Sequence, residues 1–238
     1  MTTLPRLLGA AVLAAGATLA AHAAPATAAP CADVELVLAR GTGEAPGVGG
    51  VGQSYVDALR TQLGTRTLDV YPVNYAASDD FMNREAFAAS VADGVRDAGN
   101  HVQATAVSCP NTRIVLGGYS QGAALAAFVT SDSVPAGVPA SIAPPPLPAS
   151  VADHVAAVTL FGNPSPAFLQ QYAAPVPTIG AAYTGKTLQL CAPGDIVCDG
   201  TPGGQPGFAH ISYTFNGMTG EAAAYASDRI APIAQPQG

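Results

Sequence analysis

The chain has 238 residues, only 11% of them charged, with a formal net charge of −7, four cysteines and no tryptophan. An acidic, sparsely charged chain argues against nucleic acid as a partner and against electrostatic docking onto anionic lipid. Beyond one short apolar stretch at the start, no run approaches a membrane span, and the rest suits one domain with a full-sized core.

The chain opens with a single charge, Arg6, then the apolar run Leu7 to Ala20, then small residues including Ala21-His22-Ala23 and Ala26-Thr27-Ala28. This order predicts a secretory signal peptide over residues 1–29, cut between Ala23 and Pro30, and a single domain over 30–238. The mature protein is expected to be secreted, in the medium or at the cell wall, and to lack stable membrane insertion. Cys31, Cys109, Cys191 and Cys198 all follow the leader, and an even number in an exported chain predicts disulfides. Three pairings are possible; the natural short loop joins Cys191 to Cys198, which leaves Cys31 with Cys109. Chain entropy assigns about 4.5 kcal/mol to the long loop and about 2.5 kcal/mol to the short one. No Cys-x-x-Cys spacing of the metal type occurs, so no metal is expected.

Apolar, β-rich runs fall at Asp33 to Ala39, Thr67 to Val73, Thr112 to Gly117, Val155 to Phe161 and Lys186 to Leu190, with helical patterns between most of them. Such alternation predicts a parallel sheet with helices on both faces, a three-layer α/β sandwich. After the first strand comes Arg40-Gly41-Thr42-Gly43-Glu44, then Gly47 to Gly52, which formally matches a dinucleotide fingerprint. Its first glycine lies well past the strand end, and the nearby acid, Asp69, sits inside the second strand. No nucleotide cofactor is therefore expected, and the run reads as a flexible wall of a site. Helical spacing follows over Gln53 to Leu63 and over Glu85 to Ala98, where Phe87, Val91, Val95 and Ala98 mark a buried stripe.

The most specific signal is Gly118-Tyr119-Ser120-Gln121-Gly122, set between the third strand and an apolar helix over Gln121 to Val129. Strand, Gly-x-Ser-x-Gly and helix in that order describe a strained turn that lifts a serine hydroxyl above the sheet. The helix N-terminus behind it favours a nearby oxyanion. Val134 to Pro148, with its Pro-Pro-Pro run, reads as an exposed extended spacer, and Gly220 to Ile230 as a last helix.

A nucleophilic serine needs a base, and in such folds the order is Ser, acid, His on loops at the carboxyl edge of the sheet. His101 precedes Ser120 at the end of a helical pattern, and His154 sits at the amino edge of a strand; His210, in a loop after the last strand, fits. Among the acids between, Asp132 and Asp153 lie at the wrong end. Asp195, inside the short cysteine loop after the last strand, is expected to orient His210, with Asp199 as the fallback. Thr42, in the loop after the first strand, and Gln121, just after the serine, are the expected oxyanion donors.

These residues resemble the cutinase family of secreted serine esterases, including the cutinase-like proteins of actinobacteria. The likeness rests on Cys109 to Gly122, on Cys191 to Gly200 with Asp195 inside, and on Ala209-His210, and it runs from Cys31 to about Ile230. It implies an α/β hydrolase with a central five-stranded parallel sheet, two disulfides paired as above, and a triad of Ser120, Asp195 and His210. It also implies an oxyanion hole from Thr42 and Gln121, and hydrolysis of carboxylic esters: cutin, short- and medium-chain acyl esters and, in some relatives, lipids. No lid insertion is evident, so an open site is expected, with Phe81, Met82, Phe208 and Ile211 as candidates for its apolar crevice. Val134 to Pro148 is longer than the matching loop of the family. The expected partner is an ester or lipid substrate, met by a monomer without metal or cofactor. An acyltransferase with the same triad and a non-catalytic lipid-binding protein are the alternatives.

Overall fold

The five apolar runs pair into one sheet in the computed structural model, which describes residues 30–136, 138–139 and 141–230. The expected leader, 1–29, and the last eight residues of the expected domain lie outside the described residues. The strands are β1 (Val34–Ala39), β2 (Leu68–Pro72), β3 (Arg113–Tyr119), β4 (Val155–Phe161) and β5 (Thr187–Leu190), all parallel, in the order β2-β1-β3-β4-β5. Buried on both faces, β3 and β4 read as continuous apolar runs, whereas the edge strand β2 mixes exposed and half-buried residues and β5 buries only Leu190.

Two helix layers enclose the sheet. On one face, α1 (Gly49–Leu63) and α7 (Met218–Arg229) bury Tyr55, Leu59, Ala222 and Ala226 against a cluster that includes Phe161 and Val115. On the other, α2 (Arg84–Ser108) and α3 (Gln121–Val129) bury Ala98, Val102 and Leu125 in a cluster with Val37, Leu116 and Val158. Every residue of α3 except Phe128 is buried, in keeping with a helix whose one polar residue is Gln121. Short helices α4 (Pro166–Gln171), α5 (Ala181–Thr184) and α6 (Phe208–Ile211) and two 3-10 turns, Ala149–His154 and Ser212–Thr214, complete the described chain.

The helix expected over Glu85 to Ala98 runs on to Ser108, because the buried stripe continues through Val102, Thr105 and Ala106. His101 is therefore in mid-helix, stacked on Tyr71 at 3.4 Å and donating from Nε2 to Glu35, 2.8 Å away. The run Gly47 to Gly52 is no flexible wall: from Gly49 it forms the first turn of α1, and the Gly50 N–H donates to the Glu44 carboxylate at 2.7 Å.

Both disulfides join the cysteines that the short loop suggested. Cys31–Cys109 ties the residue ahead of β1 to the end of α2 over 78 positions, at the amino edge of the sheet, so its effect is on stability. Cys191–Cys198 closes a turn of 7 positions just after β5, at the carboxyl edge. The chain leaves β1 toward β2, then crosses back to the opposite side of β1 for β3. That reversal opens a crevice at the carboxyl edge between β1 and β3, where the loops after both strands face each other.

Candidate active site

Ser120 sits in that crevice, at the junction of β3 and α3, with φ of +54°, one of three non-glycine residues with positive φ among the described residues. Such a conformation costs on the order of 1–3 kcal/mol and persists only where the surroundings enforce it. Here the Ser120 N–H donates to the Phe161 carbonyl at 2.9 Å, and the N–H groups of Ala123 and Ala124 turn back onto the Ser120 carbonyl. A Cβ on Gly118 would strike the Gly122 backbone, and one on Gly122 would strike the carbonyls of Ala39 and Arg40. The motif's two glycines thus let the turn fold on itself and press against the end of β1.

Opposite the serine stands His210, whose Nε2 lies 2.8 Å from Ser120 Oγ. Its Nδ1 lies 3.0 and 2.9 Å from the two Asp195 carboxylate oxygens. An ionised carboxylate only accepts, so the imidazole proton is on Nδ1 and Nε2 is left to accept from the serine hydroxyl. Asp195 is only 1% exposed and also accepts from the Tyr213 hydroxyl at 2.6 Å and the Val197 N–H at 3.1 Å. Burial pushes its carboxyl up, but the bonds from His210, Tyr213 and Val197 outweigh this and hold it below the ordinary carboxylate value. Gly162, at the end of β4, makes room: a Cβ there would crowd Asp195, His210 and Tyr213 at 3.1–3.2 Å.

Nothing in the spacing of Tyr213 from Asp195 marks it in the sequence as a partner of that carboxylate. Its hydroxyl accepts from the Ala192 N–H and donates to Asp195, and burial followed by that bond raises its pKa, so it stays a donor. Removing the hydroxyl in Tyr213→Phe should cost about 2 kcal/mol at neutral pH, as for a bond to a charged group. The pH signature follows from sign. Asp195 has a folded pKa below its unfolded value, so its stabilisation is present above the ordinary carboxylate range and is lost as pH falls through the folded pKa. Without the Tyr213 donor the folded pKa rises, so melting temperatures measured from pH 3 to 7 should decline at higher pH in the variant. Superimposable acid limbs would mean that Tyr213 does not hold the carboxylate.

Thr42 lies in the loop after β1 and Gln121 opens α3, and both line the groove that contains Ser120. As the first helical residue, Gln121 has an N–H with no acceptor inside the helix. The Thr42 loop is anchored by the buried Arg40, which no sequence pattern marks. Its guanidinium donates to the carbonyls of Glu44 and Tyr75, and the Tyr75 hydroxyl donates back to the Arg40 carbonyl. Glu44 closes the loop by accepting from the Gly41 N–H at 2.6 Å.

The groove has a volume of about 630 Å³ and is lined largely by apolar side chains. Phe81 lines it, packed on Phe87 and on Tyr172. Met82, Phe208 and Ile211 do not: they are exposed at the surface, and Phe208 packs at a tilt on Phe215, so their assignment to the crevice is corrected. The reason is local, since a single residue of rotation in a loop or one-turn helix decides which side chain faces inward. Val134 to Pro148 is more than a spacer, since much of it lines the groove and Leu147 packs on the core. The fallback acid, Asp199, is exposed and accepts from the Thr201 N–H rather than meeting His210. Cys191, Asp195 and Cys198 cluster closely, but the two sulfurs are joined in a disulfide and offer no thiolate to a metal.

A parallel sheet reversing at β1, helices on both faces and a serine on a strained strand-to-helix turn define an α/β hydrolase. Residues 30–230 match the family model described as Cutinase. Over 235 residues the chain is 46% identical to Carboxylesterase Culp1 of Mycobacterium tuberculosis, covering 96% of each. It is 42% identical over 227 residues to Phospholipase Culp4 of the same organism, covering 95% of this chain and 92% of that one. Among solved structures, a Trichoderma reesei cutinase in complex with a phosphonate inhibitor aligns with a TM-score of 0.60 and 32% identity, over 85% of this chain and 78% of that one. The chain belongs to the cutinase family of enzymes.

Proposed function

We propose that this chain is a secreted carboxylic-ester hydrolase in which Ser120 is the nucleophile, His210 the general base and acid, and Asp195 the group that orients His210. The observation that carries this reading is the unbroken path from Ser120 Oγ through the His210 ring to a buried carboxylate, at 2.8 and 2.9 Å. Ser120 attacks the ester carbonyl while His210 Nε2 takes its proton; the imidazolium so formed is stabilised by Asp195. The N–H groups of Thr42 and Gln121 receive the developing oxyanion, aided by the positive end of α3. His210 returns the proton to the departing alcohol and then activates water to release the acid.

Family membership and the likeness to a carboxylesterase and a phospholipase support esters as the substrate, from cutin and lipids to short and medium acyl esters. The proposed site is assembled by one chain, which supports a monomer as the working unit. Two disulfides support export, and no helix among the described residues is long and apolar enough to cross a membrane. The intact mass of protein recovered from the culture medium tests cleavage between Ala23 and Pro30; a retained leader would contradict it.

The mechanism is tested by exposing the protein to an activated alkyl phosphonate ester and following p-nitrophenyl butyrate turnover. One phosphonyl group should appear on the peptide containing Ser120, with loss of turnover in proportion. Labelling elsewhere at equal rate, or turnover that survives full labelling of Ser120, would overturn the assignment.

A further inference from the structure

The groove does not end near Ser120. The α2 residues that line it include Phe87, Val91, Val95, Gly99 and Gln103, a stripe at helical spacing along one face of the helix. From Phe87 to Gln103 the helix rises about 24 Å. The floor beside this stripe includes Ala124 and Phe128 of α3. The far wall is the proline-rich segment, through Val134, Pro139, Ile142 and Leu147. That wall is tied to α2 at two points: Arg96, itself paired with Asp93 at 2.6 Å, donates to the Ile142 carbonyl at 3.1 Å, and Leu147 abuts Gly99. Within the wall the Val138 N–H turns back onto the Pro135 carbonyl, and the Ile142 and Ala143 N–H groups onto the Pro139 carbonyl, so a wall braced by turns and held at two points keeps its spacing from the helix.

The direction of the groove is informative. His210 lies at the end that holds Ser120, while α2 runs on to pack against the 3-10 turn Ala149–His154 at the amino edge of the sheet. In an acyl transfer the leaving alcohol must stay beside the histidine that protonates it. The limb that runs away from His210 is therefore the one available to the acyl group.

We infer that this limb binds an extended, unbranched acyl chain of membrane-lipid length or more, and that the Val134 to Leu147 wall with the facing stripe of α2 sets the length accepted. One leaflet of a bilayer core is about 15 Å deep. The groove is longer than that, so it takes a whole chain of about sixteen carbons rather than its first few. An apolar slot of this kind gains with each methylene that leaves water, by about fourfold in affinity at most. The inference rests on the ester-hydrolase reading above.

The test is a series of p-nitrophenyl esters from butyrate to stearate, with the wild type, Val91→Trp and Gly99→Leu. Val91→Trp blocks the slot about 6 Å beyond Phe87 and Gly99→Leu about 18 Å beyond it. The ratio of kcat/KM on the laurate ester to that on the butyrate ester should fall at least tenfold in Val91→Trp and less than threefold in Gly99→Leu. On the palmitate ester the same ratio should fall at least tenfold in both. With hexadecyl acetate, whose long chain is on the alcohol, neither variant should shift the ratio to ethyl acetate by more than threefold. Without any variant, straight-chain fatty acids should inhibit wild-type butyrate hydrolysis more strongly at each step from eight to sixteen carbons. Identical cutoffs in the two variants, a cutoff on the alcohol side, or inhibition that stops rising at eight carbons would overturn the groove assignment while leaving the esterase intact. Failure of the wild type to cleave even butyrate would instead overturn the ester-hydrolase reading.

Discussion

Ser120→Ala is expected to lower kcat on p-nitrophenyl butyrate by about 10⁶-fold, and adding His210→Ala to it should cost less than about threefold more. In the proposed mechanism the two side chains act in one event: the hydroxyl is useful only when its proton has somewhere to go, and the imidazole only when there is a hydroxyl to relieve. With either gone, what remains is binding plus the proposed N–H donors of Thr42 and Gln121, expected still to accelerate attack by free water by about 10³-fold. The measurement is kcat for both single variants and the double variant, at matched fold content by circular dichroism. Losses that add on a logarithmic scale would show that Ser120 and His210 act separately, and the 2.8 Å contact between them would lose its catalytic meaning.

Asp195→Asn is expected to reduce kcat by about 10⁴-fold with the fold intact. The carboxylate accepts from His210 Nδ1, which keeps the proton on that nitrogen and a lone pair on Nε2 facing Ser120. A carboxamide of the same shape can turn its NH₂ toward Nδ1, which moves the ring proton to Nε2 and leaves the serine with no acceptor. It also removes the negative charge that steadies the imidazolium. Asp199→Asn is the matched control, because Asp199 is exposed on the other side of the Cys198 bridge and touches neither His210 nor Ser120; it should change kcat by less than about twofold. Equal losses in the two variants would remove Asp195 from its proposed role.

Much of this site was legible without coordinates. Elimination along the chain singled out Ser120, Asp195 and His210, and the three side chains meet in the fold. Elimination could bring these three side chains together because each residue follows a strand or lies in a loop at the carboxyl edge, and strand direction can be read from alternation with helices. It worked less well where contact depends on side-chain direction. Phe81 faces the groove while its neighbour Met82 is 94% exposed, a difference that one loop rotation creates and no composition reveals. The helix over Arg84–Ser108 extends ten residues past the expected end at Ala98 for a related reason: Gly99, Asn100 and His101 interrupt the apolar pattern, yet Gly99 is buried where Leu147 arrives from a distant loop.

What the amino-acid order determined by itself is the set of features enforced by backbone sterics within a few residues. These are the Gly118 to Gly122 turn, the apolar strands that must be buried on both faces, and the short cysteine loop around Asp195. What only the tertiary structure decided is which distant groups share one volume. Tyr213 reaches Asp195 from the turn after α6, Arg40 locks the loop of Thr42 onto the end of β2, and the proline segment becomes the wall of a slot along α2. The reason is that a local pattern constrains φ and ψ, whereas partners separated by tens of residues are chosen by strand order and by the crossover at β1, which no window of sequence contains.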